Sequence, residues 1–325
     1  MEEYEIRPGT LAAIAARHGV PADAVRPVPA GVANHTFLLG GELVLRVPRA
    51  DRFLPDLVTE AAVIPLARGA GVRTPEIVAF DDTRSSVDVP YMILVRAEGV
   101  DLARLGLPAD APERVYRQVG RELAKLHQLS LAPPGSLPAL TPAGLPAVPV
   151  DDDGDDPRVL VDRLASEGRL DTEAARWLTG WFDRLAEYLP AEAPPTLVHG
   201  DIAPQNLMVS PYTDTDTDTV EFSSLVDWGD AMWADAATEF AKVPLVAVPA
   251  VLEGYRQETG AGLPVGAGRL EARVLRCHLA WALGRLRDPS PHPGARHWTA
   301  PPAARLLGLL RFFAANPPAP WAELA

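Results

Sequence analysis

Two short apolar stretches, Thr196-Leu197-Val198 and Leu207-Met208-Val209, are separated only by His199-Gly200-Asp201-Ile202-Ala203-Pro204-Gln205-Asn206. A third, Ser223-Ser224-Leu225-Val226, runs straight into Asp227-Trp228-Gly229-Asp230. Apolar runs this short and this close together read as strands joined by tight connections. A carboxylate directly after a buried strand is held at a sheet edge, where a rigid scaffold aims it into a cleft. Taken singly, Asp201, Asn206 and Asp227 are also ordinary turn and capping residues. Three of them in this order, each beside a strand, point to a shared task.

The rest of the chain supplies two kinds of surroundings. Thr10 caps a predicted helix over residues 11–18, stopped by Gly19 and Pro21. Thr36-Phe37-Leu38-Leu39, Gly40-Gly41 and Leu43-Val44-Leu45-Arg46-Val47 predict a hairpin. A helix over 57–68 carries Glu60, and strands are expected over 76–80 and 90–95. From Pro112 the pattern turns helical: Val115, Val119, Leu123, Leu126 and Leu129 recur at helical spacing. Residues 132–157 are rich in Pro, Gly and Asp and read as a long loop. Helices are expected over 158–167 and 172–189, and again beyond Asp235, with Pro-rich breaks near 289–293 and 317–320. The alternating Thr-Asp tract over 213–219 lacks the glycine and terminal glutamate of a calcium loop and reads as a solvated hairpin loop.

Composition excludes some functions. The formal net charge is -13, which argues against nucleic-acid binding. No apolar run approaches the ~18 residues that span a bilayer, and the acidic start Met1-Glu2-Glu3 is unlike a secretory leader. The single cysteine, Cys277, fits a reducing cytoplasm and reads as a small buried residue. The expected setting is therefore cytoplasmic, with neither membrane nor nucleic acid as partner.

Phosphoryl transfer makes demands that these residues meet. Cations must bridge the nucleotide phosphates, a carboxylate must orient the acceptor hydroxyl and take its proton, and a further cation must hold the remaining phosphates. Asp201, Asn206 and Asp227 follow one another in the order a kinase uses, with Arg46 on an upstream strand and Glu60 on the next helix. The pair of motifs, His199-Gly200-Asp201 with Asn206 and then Asp227-Trp228-Gly229-Asp230, resembles the aminoglycoside phosphotransferase family. The resemblance runs from about Gly31 to the C-terminal helices.

That resemblance implies an α+β, bilobal, protein-kinase-like fold. A nucleotide-binding lobe over residues 1–97, an antiparallel sheet with one helix, would precede a larger, mainly helical catalytic and substrate-binding lobe over 98–325. It makes Asp201 the catalytic base and Asn206 and Asp227 the magnesium ligands, with ATP as donor and GTP also open. His199 would brace the catalytic loop, Asp235 would open a helix behind it, and Glu239 would lie on that helix with a solvated face. His127 reads as a packed helix histidine.

The chain departs from the protein-kinase pattern at two points. Its only lysines, Lys125 and Lys242, fall in C-terminal helical stretches, so Arg46 takes the phosphate position, where its fork can also pair with Glu60. A solvent-facing Arg46, with Arg49 or no residue in that role, is the alternative. The glycine-rich loop is reduced to Gly31-Val32-Ala33-Asn34, whose amides can approach phosphates or form a plain turn. Backbone groups at Val95 to Ala97 would meet the purine edge, Val44 and Met208 would flank its ring, and Gly99 fits the exit from this hinge. The acceptor is a small hydroxylated molecule. An antibiotic of aminoglycoside, macrolide or nucleoside type is one class, and resistance or self-resistance would follow; a choline- or homoserine-like metabolic kinase and a nucleotide-binding pseudokinase are the alternatives. The acidic run Asp151-Asp152-Asp153-Gly154-Asp155-Asp156 is either an amine-binding surface or a solvated charge run. Oligomeric state leaves no mark on the sequence.

Overall fold

The computed structural model describes residues 4–28, 33–108, 111–129, 156–189, 196–214, 217–259, 270–287, 308–309, 312 and 321–323. Gly31, most of the loop 132–157 and the Pro-rich breaks lie outside the described residues.

Near the N-terminus, helix α1 (Pro8–Arg17) precedes an antiparallel sheet of β1 (Val25–Val28), β2 (Asn34–Leu39), β3 (Leu43–Pro48), β4 (Ile77–Asp81) and β5 (Tyr91–Val95). The strand order is β1-β2-β3-β5-β4. Helix α1 begins two residues before Thr10, because Pro8 fits the first turn, and the Thr10 hydroxyl bonds Asp88 instead. Strand β1 was not expected from Val25-Arg26-Pro27-Val28. It lies at the sheet edge, where a proline's missing N–H leaves no central ladder broken.

The two-residue period of β3 divides its side chains. Leu45 and Val47 are fully buried in a cluster with Ile14, Leu39, Tyr91 and Ile93. Val44 and Arg46 therefore face the opposite side. There Met92 and Leu94 join the larger core, with Leu57, Ala61 and Ile64 of α2 (Leu54–Gly69).

The larger part of the described chain holds α3 (Glu113–Gln128), α4 (Pro157–Ser166), α5 (Thr172–Ala186), α6 (Val248–Thr259) and α7 (Leu270–Gly284). The expected stripe on α3 is the core-facing one: Val115, Val119, Leu123 and Leu126 are fully buried. Each such side chain contributes roughly 1.5–3 kcal/mol of burial. Helices α3 and α6 cross at two glycines. A Cβ on Gly120 would sit 2.0 Å from the Val251 carbonyl oxygen, and one on Gly254 would sit 1.9 Å from that of Arg117.

Five more strands cross this part: β6 (Val100–Asp101), β7 (Thr196–Val198), β8 (Leu207–Asp214), β9 (Thr217–Leu225) and β10 (Met232–Ala234). Strand β8 lies between β6 and β9, and β7 pairs with β10. The Thr-Asp tract departs from expectation. Strands β8 and β9 run on through it, paired as far as Asp214 with Thr217, since alternating Thr is compatible with a two-residue ladder. Strand β10 is too short to leave a periodic signal. Among the described residues no helix is long and apolar enough to cross a membrane.

Candidate active site

The loop after β7 is braced from behind. The His199 N–H donates to Glu239 Oε2 at 2.8 Å and the Gly200 N–H to Glu239 Oε1 at 3.1 Å. Glu239 is 1% exposed and also contacts His127 Nε2 at 3.2 Å. The Tyr255 hydroxyl sits 2.9 Å from His127 Nδ1, which assigns the Nε2–H tautomer to His127 by the logic of the network. Burial alone would raise the Glu239 carboxyl, but His127, then His199, hold it below the usual range. The expectation of a solvated Glu239 is thus corrected: the short 3₁₀ helix 236–240 faces inward, and its acid satisfies two loop amides. Asp235 caps that helix by accepting from the Ala237 N–H at 2.8 Å, and the buried Arg273 clamps the same carboxylate.

Gly200 is required at its position. Its φ is 77°, and a Cβ there would lie 2.3 Å from the Asp230 carbonyl oxygen. The sharp turn lets the Asp201 N–H donate back to His199 Nδ1 at 3.2 Å. The Nε2–H of His199 is then free to donate to the Val226 carbonyl, also at 3.2 Å. One imidazole thereby ties the Asp201 loop to the residue preceding Asp227. Asn206 completes the loop: its Nδ2 donates to the Asp201 carbonyl at 2.9 Å and to Asp201 Oδ2 at 2.6 Å. The Val226 N–H donates to the Asn206 carbonyl at 3.1 Å, so the two oxygen-bearing side chains of Asn206 and Asp227 leave from neighbouring backbone.

Arg46 reaches this cluster from β3. Its Nη1 lies 2.6 Å from Glu60 Oε2 and its Nη2 lies 2.7 Å from Asp227 Oδ1. The solvent-facing alternative for Arg46 is excluded, since its side chain is only 13% exposed. Glu60 is 1% exposed. Burial, with the Asp227 and Asp56 carboxylates nearby, pushes Glu60 up to about 8 against the opposing pull of Arg46. For Asp227, burial again favours the neutral form, but Arg46 outweighs it and holds the carboxyl below its usual range. Asp227 has φ 72°, a left-handed conformation that costs a non-glycine residue about 1–3 kcal/mol and is retained where a site demands it. Trp228 beside it is fully buried, donating from Nε1 to Thr74 Oγ1 at 2.8 Å.

A model of the phosphotransferase enzyme family (APH) matches residues 24–275. The chain belongs to that family. Among solved structures, this phosphotransferase is similar to the GDP complex of an aminoglycoside 2'-phosphotransferase-IIIa variant, at 20% identity and TM-score 0.62, over 90% of this chain and 93% of that one. It also resembles macrolide 2'-phosphotransferase MphH from Brachybacterium faecium, at 16% identity and TM-score 0.56, over 94% and 93%. A third is the streptomycin–ATP complex of APH(2")-IIa, at 14% identity and TM-score 0.55, over 96% and 97%. Acyl-CoA dehydrogenase family member 10 of Mus musculus is 23% identical over 254 residues, which is 72% of this chain and 22% of that protein. The chain thus matches about a fifth of that relative's length. The fold is the kinase-like fold of the aminoglycoside phosphotransferases, and the family is one of phosphotransferase enzymes.

In this phosphotransferase the remaining expected residues fall as follows. Val44, on the Arg46 face of β3, and Met208, on β8, are both partly buried. Asn34 opens β2 at 4% exposure, and its Oδ1 has no hydrogen-bond partner. At the hinge, the Val95 N–H donates to the Glu76 carbonyl at 2.8 Å and the Arg96 N–H to that of Glu42 at 2.7 Å. Two of the hinge donors are therefore consumed within the protein. Among the described acidic run only Asp156 appears, and it caps α4.

Three site residues were not singled out in the sequence. Asp56, in the first turn of α2, is pushed up to about 6 by burial, Asp230 and Asp227. Asp230 and Lys242 pair at 2.7 Å, and Lys242 Nζ is also 3.0 Å from Asp201 Oδ1. One signal for Lys242 was available: it is one of two lysines, seven residues past the Asp that opens the short helix.

Proposed function

We propose that this phosphotransferase moves the γ-phosphoryl group of ATP to a hydroxyl of a small molecule, with Asp201 as the base. The observation that carries the reading is the convergence of two pairs, Arg46 with Asp227 at 2.7 Å and Asn206 with Asp201 at 2.6 Å, joined through the Val226 N–H that donates to the Asn206 carbonyl at 3.1 Å. Asp201 receives the acceptor proton, and Asn206 fixes its carboxylate. Arg46, aligned by Glu60, holds phosphate oxygens through its fork. Val44 and Met208 flank the purine, and Ala97 and Val95 read its edge. Gly31 and Asn34 keep their expected part in holding the phosphates; of the two, Asn34 lies within the described residues. The lobes divide at residues 97 and 98.

The donor set of Asn206 and Asp227 fits magnesium. Both supply hard oxygen atoms, and a magnesium ion that bridges a nucleotide takes only one or two protein carboxylates plus phosphate oxygens and water. Among the described residues no three His, Cys, Asp or Glu side chains converge as a metal cage. The bound ion would neutralise phosphate charge as it develops. Asp227, already ionised beside Arg46, is ready to bind it.

ATP is the leading donor, with GTP also compatible, because the hinge reads a purine through backbone groups. For the acceptor, the reading is an antibiotic of aminoglycoside, macrolide or nucleoside type, supported by neighbours whose bound or named substrates are aminoglycosides and macrolides. A cytoplasmic resistance or self-resistance role follows from that reading. The test is nucleotide consumption against a panel of these antibiotics together with choline and homoserine, with the phosphate ester identified by mass spectrometry. Turnover of choline or homoserine alone would move the enzyme to metabolism. Nucleotide binding without turnover of any hydroxyl compound would favour a pseudokinase.

A further inference from the structure

Lys242 belongs to neither motif, yet its ammonium is built into the site. It follows the 3₁₀ helix 236–240, which is anchored twice: Asp235 is clamped by Arg273, and Glu239 is bonded to the amides of His199 and Gly200. The position of Lys242 relative to Asp201 is therefore fixed by the same brace that fixes Asp201. Its side chain is 15% exposed, with Nζ 3.0 Å from Asp201 Oδ1 and 2.7 Å from Asp230 Oδ2. The contact with Asp201 Oδ1 lacks hydrogen-bond geometry, so it is a charge contact and not a directed bond. The other Asp201 oxygen is held by Asn206 at 2.6 Å. Oδ1, buried beneath the ammonium, is the oxygen without a hydrogen bond and the one an incoming acceptor hydroxyl would take.

The site also needs a second cation. Asp56, Glu60, Asp201, Asp227 and Asp230 surround it, and Arg46 already commits one nitrogen to Glu60 and the other to Asp227. Arg46 thus serves the nucleotide side. A lysine ammonium has three donors on a flexible stem, and here the Asp230 carboxylate takes one of them.

Resting on the reading of Asp201 as the base, we propose that Lys242 is a further catalytic residue, which turns from Asp201 Oδ1 to an oxygen of the transferring phosphoryl group as the acceptor hydroxyl takes its place. Asp230 keeps hold of the ammonium through the exchange. In the step, the bond between the γ-phosphorus and the β,γ-bridging oxygen breaks, the bond from phosphorus to the acceptor oxygen forms, and the acceptor proton passes to Asp201. Lys242 keeps its protons throughout and supplies only charge and a hydrogen bond. Such a donor acts on the transition state and leaves ground-state nucleotide affinity almost unchanged.

The test needs no identified acceptor. Intrinsic ATP hydrolysis, the Kd for MgADP and the tightening of MgADP by aluminium fluoride are measured for the wild type, Lys242→Met, Lys242→Arg and the charge-balanced double variant Lys242→Met with Asp230→Asn. The expected result for Lys242→Met is hydrolysis reduced by about 100-fold or more, with loss of the fluoride enhancement and MgADP affinity within about twofold. Lys242→Arg, which preserves the charge and the fold, should recover part of both. Wild-type hydrolysis or an intact fluoride response in Lys242→Met would overturn the proposal. So would recovery in the double variant, which would make Lys242 a mere counter-ion to Asp230, or a parallel loss of MgADP affinity. If the wild type itself neither binds MgADP nor responds to fluoride, the reading of the nucleotide site has failed, and that outcome is separate.

Discussion

The two halves of the site are held together by opposite means. The Asp201 loop rests on directed hydrogen bonds to a buried acid, and both oxygens of Glu239 are used. The Arg46 side rests on two hydrogen-bonded ion pairs, and its acids are in surplus: Glu60 Oε1 is buried without a hydrogen-bond partner, and Asp56 holds its proton up to about 6. A fully satisfied polar network is rigid, and removing one member leaves several groups unpaired. A cluster with excess carboxylate is instead strained until more positive charge arrives, which a magnesium nucleotide would supply. The loop is therefore organised before substrate binds, while the metal side is completed by it.

The sharpest test of that contrast is Asp201→Asn, which keeps the loop's shape and removes its chemistry. Turnover of the acceptor found by the panel should fall by about 10³–10⁴-fold, with MgADP affinity within a few-fold of the wild type. A parallel loss of affinity, read by titration calorimetry, would mean that the two halves are not separable. Next comes Glu239→Ala. It strands the His199 and Gly200 amides and the His127 imidazole in the interior, so a loss of about 3–5 kcal/mol in stability is expected, read as a lower denaturant midpoint. A loss under about 1 kcal/mol would show that the loop stands without its brace.

The legibility of the sequence divides along the same line. Asp201, Asn206 and Asp227 could be found because each sits beside an apolar strand, and strand and carboxylate are adjacent in the chain. The hairpin and the α3 stripe were equally readable, since periodicity is local. Glu239 and Lys242 were not, because what gives them meaning lies far away in sequence. Glu239 looks like any helix-surface acid until the fold brings the His199 amide onto it, 40 residues distant. Edge strand β1 was hidden by Pro27, and β10 by its length. The hinge was half legible: its location followed from β5, but which amides were spent depended on Glu76 and Glu42, on neighbouring backbone.

Smaller effects sharpen the metal side. Arg46→Lys keeps a positive charge but cannot reach Glu60 and Asp227 together through a fork. The expected outcome is a KM for MgATP raised by about tenfold, equivalent to ~1.4 kcal/mol, with a smaller change in kcat. A fall in kcat at unchanged KM would assign Arg46 to the chemical step instead of to nucleotide binding.

The smallest effect is on stability, and its sign is set by Asp56. With magnesium absent, this carboxyl has an ordinary value of 3.8 in the unfolded chain and about 6 in the folded one, because of burial and the nearby Asp230 and Asp227. Below pH 3.8 both states hold the proton, and the group costs nothing. As pH rises toward about 6 the unfolded state releases its proton first, so folding is progressively penalised; above about 6 the penalty is complete. Asp56→Asn removes it. Discounted for partial solvent exposure, the gain should be about 1 kcal/mol at pH 7.5, shrinking to nothing near pH 4. The measurement is a pair of denaturant curves at the two pH values in chelator. Adding magnesium and ADP should narrow the difference, because the same excess charge is then neutralised by the bound pair. An equal gain with and without them would show that Asp56 is insulated from the metal side, and that the surplus there is carried by Glu60 and Asp230 alone.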